Sequence, residues 1–252
     1  MHARELWFLE SSKLSRSPRH VKHEKQVCMQ ESKLIVMGGL VPNYFQKVID
    51  INIFQILAIC GMISPIVYTL SWILGGFLRS DYSHIQDDIS SLAAVGAPRK
   101  RLFDAFLITS SVLLFVFYLG LHWGINNGQG SFVGPILFLA SGFLGVLVTV
   151  FFPLDAGGEI ITLRGKMHLG LVITSGLLTI AGMVALWFRL ALVEGWSTFA
   201  TFSLISAIVS FILVIISVIF MKSNYRGLAE RLTVSPYQLY YFVISLTVFL
   251  TN

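Results

Sequence analysis

Long apolar runs, broken by short polar segments, dominate this chain. A helix needs about 20 mostly apolar residues to cross the hydrocarbon core of a bilayer, and it bonds its own backbone groups. Residues 51–77, 102–125, 132–152, 169–190 and 198–221 meet that length, with Pro65 a kink position in the first. A sixth run, 236–251, is short for a span, but Tyr237, Tyr240 and Tyr241 at one end suit an interfacial anchor. The pattern predicts an all-α fold: a polytopic membrane bundle of six transmembrane helices, the sixth marginal.

Composition agrees with that class. Of the 252 residues 55% are hydrophobic and 12% charged, against about 25% charged in an average soluble domain. Mean hydropathy is +0.77. The length suffices for one bundle and leaves no room for a large soluble domain. Two cysteines, Cys28 and Cys60, offer neither a disulfide framework nor a metal-binding pair. Two regions are expected: a basic tail over 1–50 without fixed structure, and a six-span domain over 51–252. The tail has no apolar run long enough for a signal peptide. Met29 and Met37 are alternative starts, and His20-Val21-Lys22-His23 reads as solvated tail rather than a metal motif.

Charge sets an expected orientation. Nine Lys and Arg fall in alternate loops: Arg79, Arg99, Lys100 and Arg101; Arg164 and Lys166; Lys222, Arg226 and Arg231. The other face has only Arg189 near a span end, besides Lys33 and Lys47 of the tail within about 20 residues of the first span. The positive-inside rule therefore places loops 1–2, 3–4 and 5–6 in the cytoplasm and the termini outside. Small residues four apart, at Ser71/Gly75, Ser141/Gly145 and Ser203/Ala207, suit close helix packing within the bundle. His122 beside Trp123 reads as an interfacial anchor, and no matching histidine supports a haem.

The strongest polar signals lie on one face. In loop 1–2, Asp88 suits an N-cap, Ile89, Leu92 and Val95 repeat at helical spacing, Gly96 suits a left-handed ending and Pro98 blocks continuation. A short surface helix over 89–95 is expected, with Ser90 and Ser91 turned toward a ligand or simply part of a lid. In loop 3–4, Asp155 follows Phe152-Pro153, and the chain returns past Gly157-Gly158, Arg164 and Lys166 to His168. Asp155 and His168 are the candidate catalytic pair, as acid and base or as metal ligands. Asp104 enters from the same face as a third ligand for one divalent metal such as zinc, which takes three or four protein donors. Each carboxylate also has a plainer role: Asp104 at the positive end of its helix dipole, Asp155 paired with Arg164 or Lys166. The thirteen-residue spacing of Asp155 and His168 is no known metal signature. HExxH, GxSxG and P-loop motifs are all missing from the sequence. A serine reaction through Ser90 or Ser91 with His168 rests only on shared sidedness.

These stretches together resemble a known family, the six-span membrane proteins of domain-of-unknown-function 998. The resemblance rests on Tyr82-Ser83, Ile89-Ser90-Ser91-Leu92 with Gly96 and Pro98, Phe152-Pro153 and Asp155, His168, and Gly227-Leu228-Ala229-Glu230-Arg231. It covers about 54–250 and implies six spans with these loops paired, but no reaction. Ser91 stands where the pattern leads one to expect an acidic residue. The function expected is a polar site on one membrane face that binds or acts on a lipid or amphiphilic small molecule. The alternatives are a small-molecule permease and a non-catalytic assembly partner. Membrane lipid is the expected partner, and nucleic acid is not.

Overall fold

The structure is a computed structural model that describes residues 51–252. The expected basic tail, with its histidines and alternative starts, lies outside the described residues. Within them the protein is all-helical. Six helices are long and apolar enough to cross a membrane: α1 (Ile53–Leu78), α2 (Lys100–Gly124), α3 (Val133–Phe151), α4 (Leu163–Leu190), α5 (Ser197–Phe220) and α6 (Arg226–Thr251). Each helix packs on its chain neighbours, and α6 returns against α1, so the six form a closed ring. Loops 1–2, 3–4 and 5–6 share one end of that ring.

Local chemistry explains the helix ends. Asn52 and Gln55 form a reciprocal capping box at the start of α1. Thr162 caps α4 by accepting from the Gly165 amide at 3.3 Å. Two helices begin well before the apolar runs predict. α4 starts at Leu163 rather than at residue 169, so His168 sits inside the helix and not at its mouth. α6 starts at Arg226, ten residues before Pro236, and is a full-length span of 26 residues rather than a marginal one. Glu230 and Arg231 hide this extension in a hydropathy pattern, because their charge is met by loop 1–2 and not by water.

Close approach and hydroxyl bonds hold the ring. Phe138 presses on Gly182 and Leu186 on Gly134, where any side chain would collide. Ser64 and Ser110 exchange bonds between α1 and α2, each hydroxyl donating to the other's carbonyl at 2.8 and 3.0 Å. Ser203 donates to the Met183 carbonyl at 2.9 Å and joins α5 to α4. Such contacts replace the hydrophobic effect, which does not act between helices already in lipid. Of the expected small-residue pairs, Ser71/Gly75 and Ser203/Ala207 are buried, whereas Gly145 faces open space. The main core, with Phe117, Tyr118, Phe138, Phe199 and Tyr240, fills the end opposite loop 1–2.

At that opposite end His122 is more than an anchor. It is buried and stacks on Phe132 at 3.4 Å between ring centres. Its Nδ1 accepts from Arg189 at 3.2 Å. The same guanidinium donates to the carbonyls of His122, Ile125, Gln129 and Ser131. Arg189 thus closes loop 2–3 onto α4. Replacing Arg189 with Met removes these four bonds, although Ile125 keeps the Gly128 amide and the Gln129 and Ser131 carbonyls can turn to solvent, and should cost about 1–3 kcal/mol. A fall in the thermal unfolding midpoint in detergent, only partly restored by Arg189→Lys, is the expected result; an unchanged midpoint would show the clamp to be idle.

Candidate functional site

At the loop 1–2 end, polar groups from three loops meet. Residues Ile89–Ala93 form a five-residue 3-10 helix with Ile89, Leu92 and Ala93 buried. The longer surface helix over 89–95 is therefore not confirmed. Gly96 does take the left-handed conformation (φ 76°). Asp88 makes no side-chain cap; instead Glu230 of α6 accepts from the Ile89 amide at 2.5 Å. The capping carboxylate comes from another helix, which no local pattern reveals.

Arg231 fixes the rest of loop 1–2. Its guanidinium is buried, donates to the carbonyls of His84 (2.7 Å), Asp87 (2.9 Å) and Gly227 (2.8 Å), and also donates to the Tyr82 hydroxyl. It lies over the Trp72 and Tyr82 rings, 5.6 and 5.4 Å from their centres. Gly227 permits this contact, because a Cβ there would strike the Asp87 backbone. Beside it, Arg226 donates to the Gln86 carbonyl and faces Asp87 and Asp88 at 4.0 and 3.8 Å. Burial pushes the Asp88 carboxyl above its ordinary range, against the pull of Arg226.

Loop 3–4 is built around Asp155. Its carboxylate accepts from the Thr162 hydroxyl at 2.6 Å and from the Thr162 and Ile161 amides at 2.8 and 3.0 Å. Arg164 stands 3.5 Å away. The Thr162 bonds, supported by Ile161 and Arg164, hold the carboxyl below its usual range. Val95 donates to the Leu154 carbonyl at 3.0 Å and ties this loop to loop 1–2.

His168 joins both loops. Its Nδ1 lies 2.7 Å from the Phe152 carbonyl, which can only accept, so Nδ1 carries the proton. In the neutral ring Nε2 is then an acceptor, and the Ser90 hydroxyl points at it from 3.2 Å. The imidazole is buried and Ser90 is half-buried. Of the residues singled out from sequence, His168 and Ser90 are brought into direct contact. Asp155 stays on the same loop with its oxygens already engaged. Ser91 donates to the Asp88 carbonyl at 2.6 Å. Asp104 pairs with Lys100 at 2.6 Å, one turn earlier on α2, rather than joining Asp155 and His168. Among the described residues no three His, Cys, Asp or Glu side chains come together as metal ligands. Glu230 and Arg231, which organise the site from α6, stand out in the sequence only as members of the 227–231 stretch and, for Arg231, as a basic loop residue.

The model of the family described as protein of unknown function DUF998 matches residues 62–247, most of the chain and all of the loops just described. The chain belongs to the DUF998 family. No curated protein and no solved structure matches it. DUF998 membership supports a six-span membrane protein and leaves its activity to be argued from the site.

Two variants test this architecture. Arg231→Met leaves the His84 and Asp87 carbonyls without their side-chain donor and should cost about 3 kcal/mol, with no rescue by Lys; an unaltered melting midpoint would count against the anchor. Asp155→Asn should be less stable than the wild type at pH 7. A lowered carboxyl pKa stabilises the fold above the unfolded value, about 3.9, and that contribution fades as pH falls through the folded value. Melting curves of the two proteins should therefore converge in acid, and a constant gap would exclude the ionised form as the source.

Proposed function

We propose that this DUF998 protein acts on an ester-bearing amphiphile of its own membrane, with Ser90 as nucleophile and His168 as general base. One observation carries the reading: a buried imidazole, its Nδ1–H held by the Phe152 carbonyl, offers its free Nε2 to a serine hydroxyl. That is the working half of a serine–histidine pair, with a backbone carbonyl in the orienting place that a carboxylate often takes. In the proposed reaction the Ser90 Oγ attacks the acyl carbon and its proton moves to His168 Nε2. The ester C–O bond breaks, and the same proton leaves with the departing alcohol. Water or a second alcohol then releases the acyl group from Ser90 by the reverse proton path. Asp155 is the positioning residue of this scheme, since it holds loop 3–4 and with it the Phe152 carbonyl. The earlier alternative of a metal held by Asp155, His168 and Asp104 finds less support in their placement.

Sidedness supports a lipid substrate, because Ser90 and His168 lie where the apolar spans end. Nine basic residues in the same loops favour the cytoplasmic leaflet for that end. The permease reading draws less support: the bonded polar groups deep in the described spans are hydroxyls that satisfy one another, such as Ser64 with Ser110 and Ser141 with Ser175.

A fluorophosphonate carrying an alkyl chain tests the assignment without knowledge of the substrate. Its phosphorus should bond to Ser90 Oγ with loss of fluoride, giving an adduct mapped by mass spectrometry. Labelling should vanish in Ser90→Ala and slow by about 10²-fold or more in His168→Ala, with both variants monodisperse in detergent. No adduct at Ser90 in folded wild-type protein between pH 6 and 9 would overturn the proposal.

A further inference from the structure

The packing of α4 and α5 changes along their length. Gly165, His168, Thr179, Met183, Leu186 and Leu190 form one stripe of α4, and all are buried. Val172 lies on the same stripe, one turn from His168, yet is 44% exposed. No residue of α4 between His168 and Thr179 is buried, and none of α5 after Ser210. A Cβ added at Gly176 would meet only the Tyr237 hydroxyl, at 3.5 Å. The Ser203–Met183 bond fixes the antiparallel register and sets Val218 of α5 level with His168. Val218 is 55% exposed and Met221 38%. The buried positions of both helices thus lie in the half away from loop 1–2, and the seam between them in the half that contains the site is lined by exposed apolar side chains. This apolar seam is the candidate cleft, with Val172 and His168 on its α4 wall.

Charge at the mouth of the cleft is one-sided. Arg164, with its side chain 43% exposed, and exposed Lys166 flank it on α4, and exposed Lys222 flanks it at the end of α5. The nearby carboxylates are Asp155, which is bonded within its loop and also faces Arg164 at 3.5 Å, and Glu159, so Lys166 and Lys222 are the less engaged of the three cations. From residue 160 to 229 the single acidic residue is Glu194, in loop 4–5 at the far end of the ring.

We infer that this cleft holds an anionic phospholipid, its acyl chain between α4 and α5 and its phosphate against Arg164, Lys166 and Lys222. The inference rests on the serine–histidine reading and deepens it by naming the substrate class. A chain seated beside Val172 carries its ester toward the loop end, where Ser90 and His168 stand. The headgroup charge, rather than the chain, selects the lipid, because each basic residue near the surface favours an anionic lipid by about fivefold.

Native mass spectrometry of detergent-purified, full-length protein tests this with two probes, phosphatidylglycerol and phosphatidylcholine of matched chains. One phosphatidylglycerol per chain should be retained, with a preference over phosphatidylcholine of at least about tenfold. Val172→Trp should abolish retention by filling the cleft; if it fails to fold, Val218→Trp fills the same space from α5. Arg164→Gln with Lys166→Gln and Lys222→Gln should keep lipid but lose the preference. Equal retention of the two lipids by the wild type, or retention unchanged in both Trp variants, overturns the inference. The phosphonate experiment separates the two failures. Labelling of Ser90 without selective lipid retention removes the lipid class and keeps the chemistry. Selective retention without labelling removes the chemistry and keeps the lipid site.

Discussion

A buried guanidinium with three carbonyl acceptors holds the loop end of this DUF998 protein together. Arg231 takes its bonds from residues 84 and 87 of loop 1–2 and from its own helix. A charge at this depth costs several kcal/mol of hydration unless its donors find partners. Loop 1–2 supplies the His84 and Asp87 carbonyls and the Tyr82 hydroxyl to the two terminal nitrogens, while Nε is buried without a partner among the described residues, so the loop and the start of α6 depend on each other. Without the loop Arg231 would pull α6 toward water, and without Arg231 the loop would expose carbonyls to an apolar surface. Glu230 on the same turn then caps the 3-10 helix that carries Ser90. Position at the site is thus inherited from α6, more than a hundred residues further along the chain.

Membrane helices were legible in the sequence because their signal is length and apolarity, which need no knowledge of partners. All six are present near the expected places. The errors fall where a polar residue is satisfied by a distant segment. Residues 226–235 read as loop because Arg226, Glu230 and Arg231 are charged, yet they are helical because loop 1–2 meets those charges. His122 read as an anchor beside Trp123, whereas Arg189, 67 residues away, makes it part of a clamp. Asp88 read as a cap from its position alone, and Glu230 does the capping. In each case the deciding partner is remote, and a single sequence carries no distances.

The site shows the same division. Loop pairing followed from alternation of faces, and it brought Ser90 and His168 within reach. The particular contact did not follow. His168 sits inside α4 because Asp155 and Thr162 start that helix early, at a turn where Gly165 leaves room for the Asp155 carboxylate. That start rotates the imidazole between the Phe152 carbonyl and Ser90. Asp155 accordingly positions His168 through the backbone that joins them, and a carboxylate and imidazole grouped by sidedness alone become a frame and, in the proposed reaction, a base.

The two ends of the ring use different physics, and this bears on how a reaction can occur in a membrane. Away from the site, aromatic packing and close helix contacts leave little freedom, as the stack of Phe138, Tyr240 and Phe202 illustrates. At the site α4 and α5 bury fewer side chains, and the geometry is kept by hydrogen bonds from three loops. Ser90 is placed by Glu230 through Ile89, by Leu154 through Val95 and by His168 directly. None of these ties runs through the α4–α5 contact. The α5 wall of the proposed cleft can therefore shift to admit an apolar chain without disturbing Ser90 or His168, which lies on α4. In the proposed reaction, precision comes from polar ties that a lipid tail cannot compete for, and access from an apolar seam that it can.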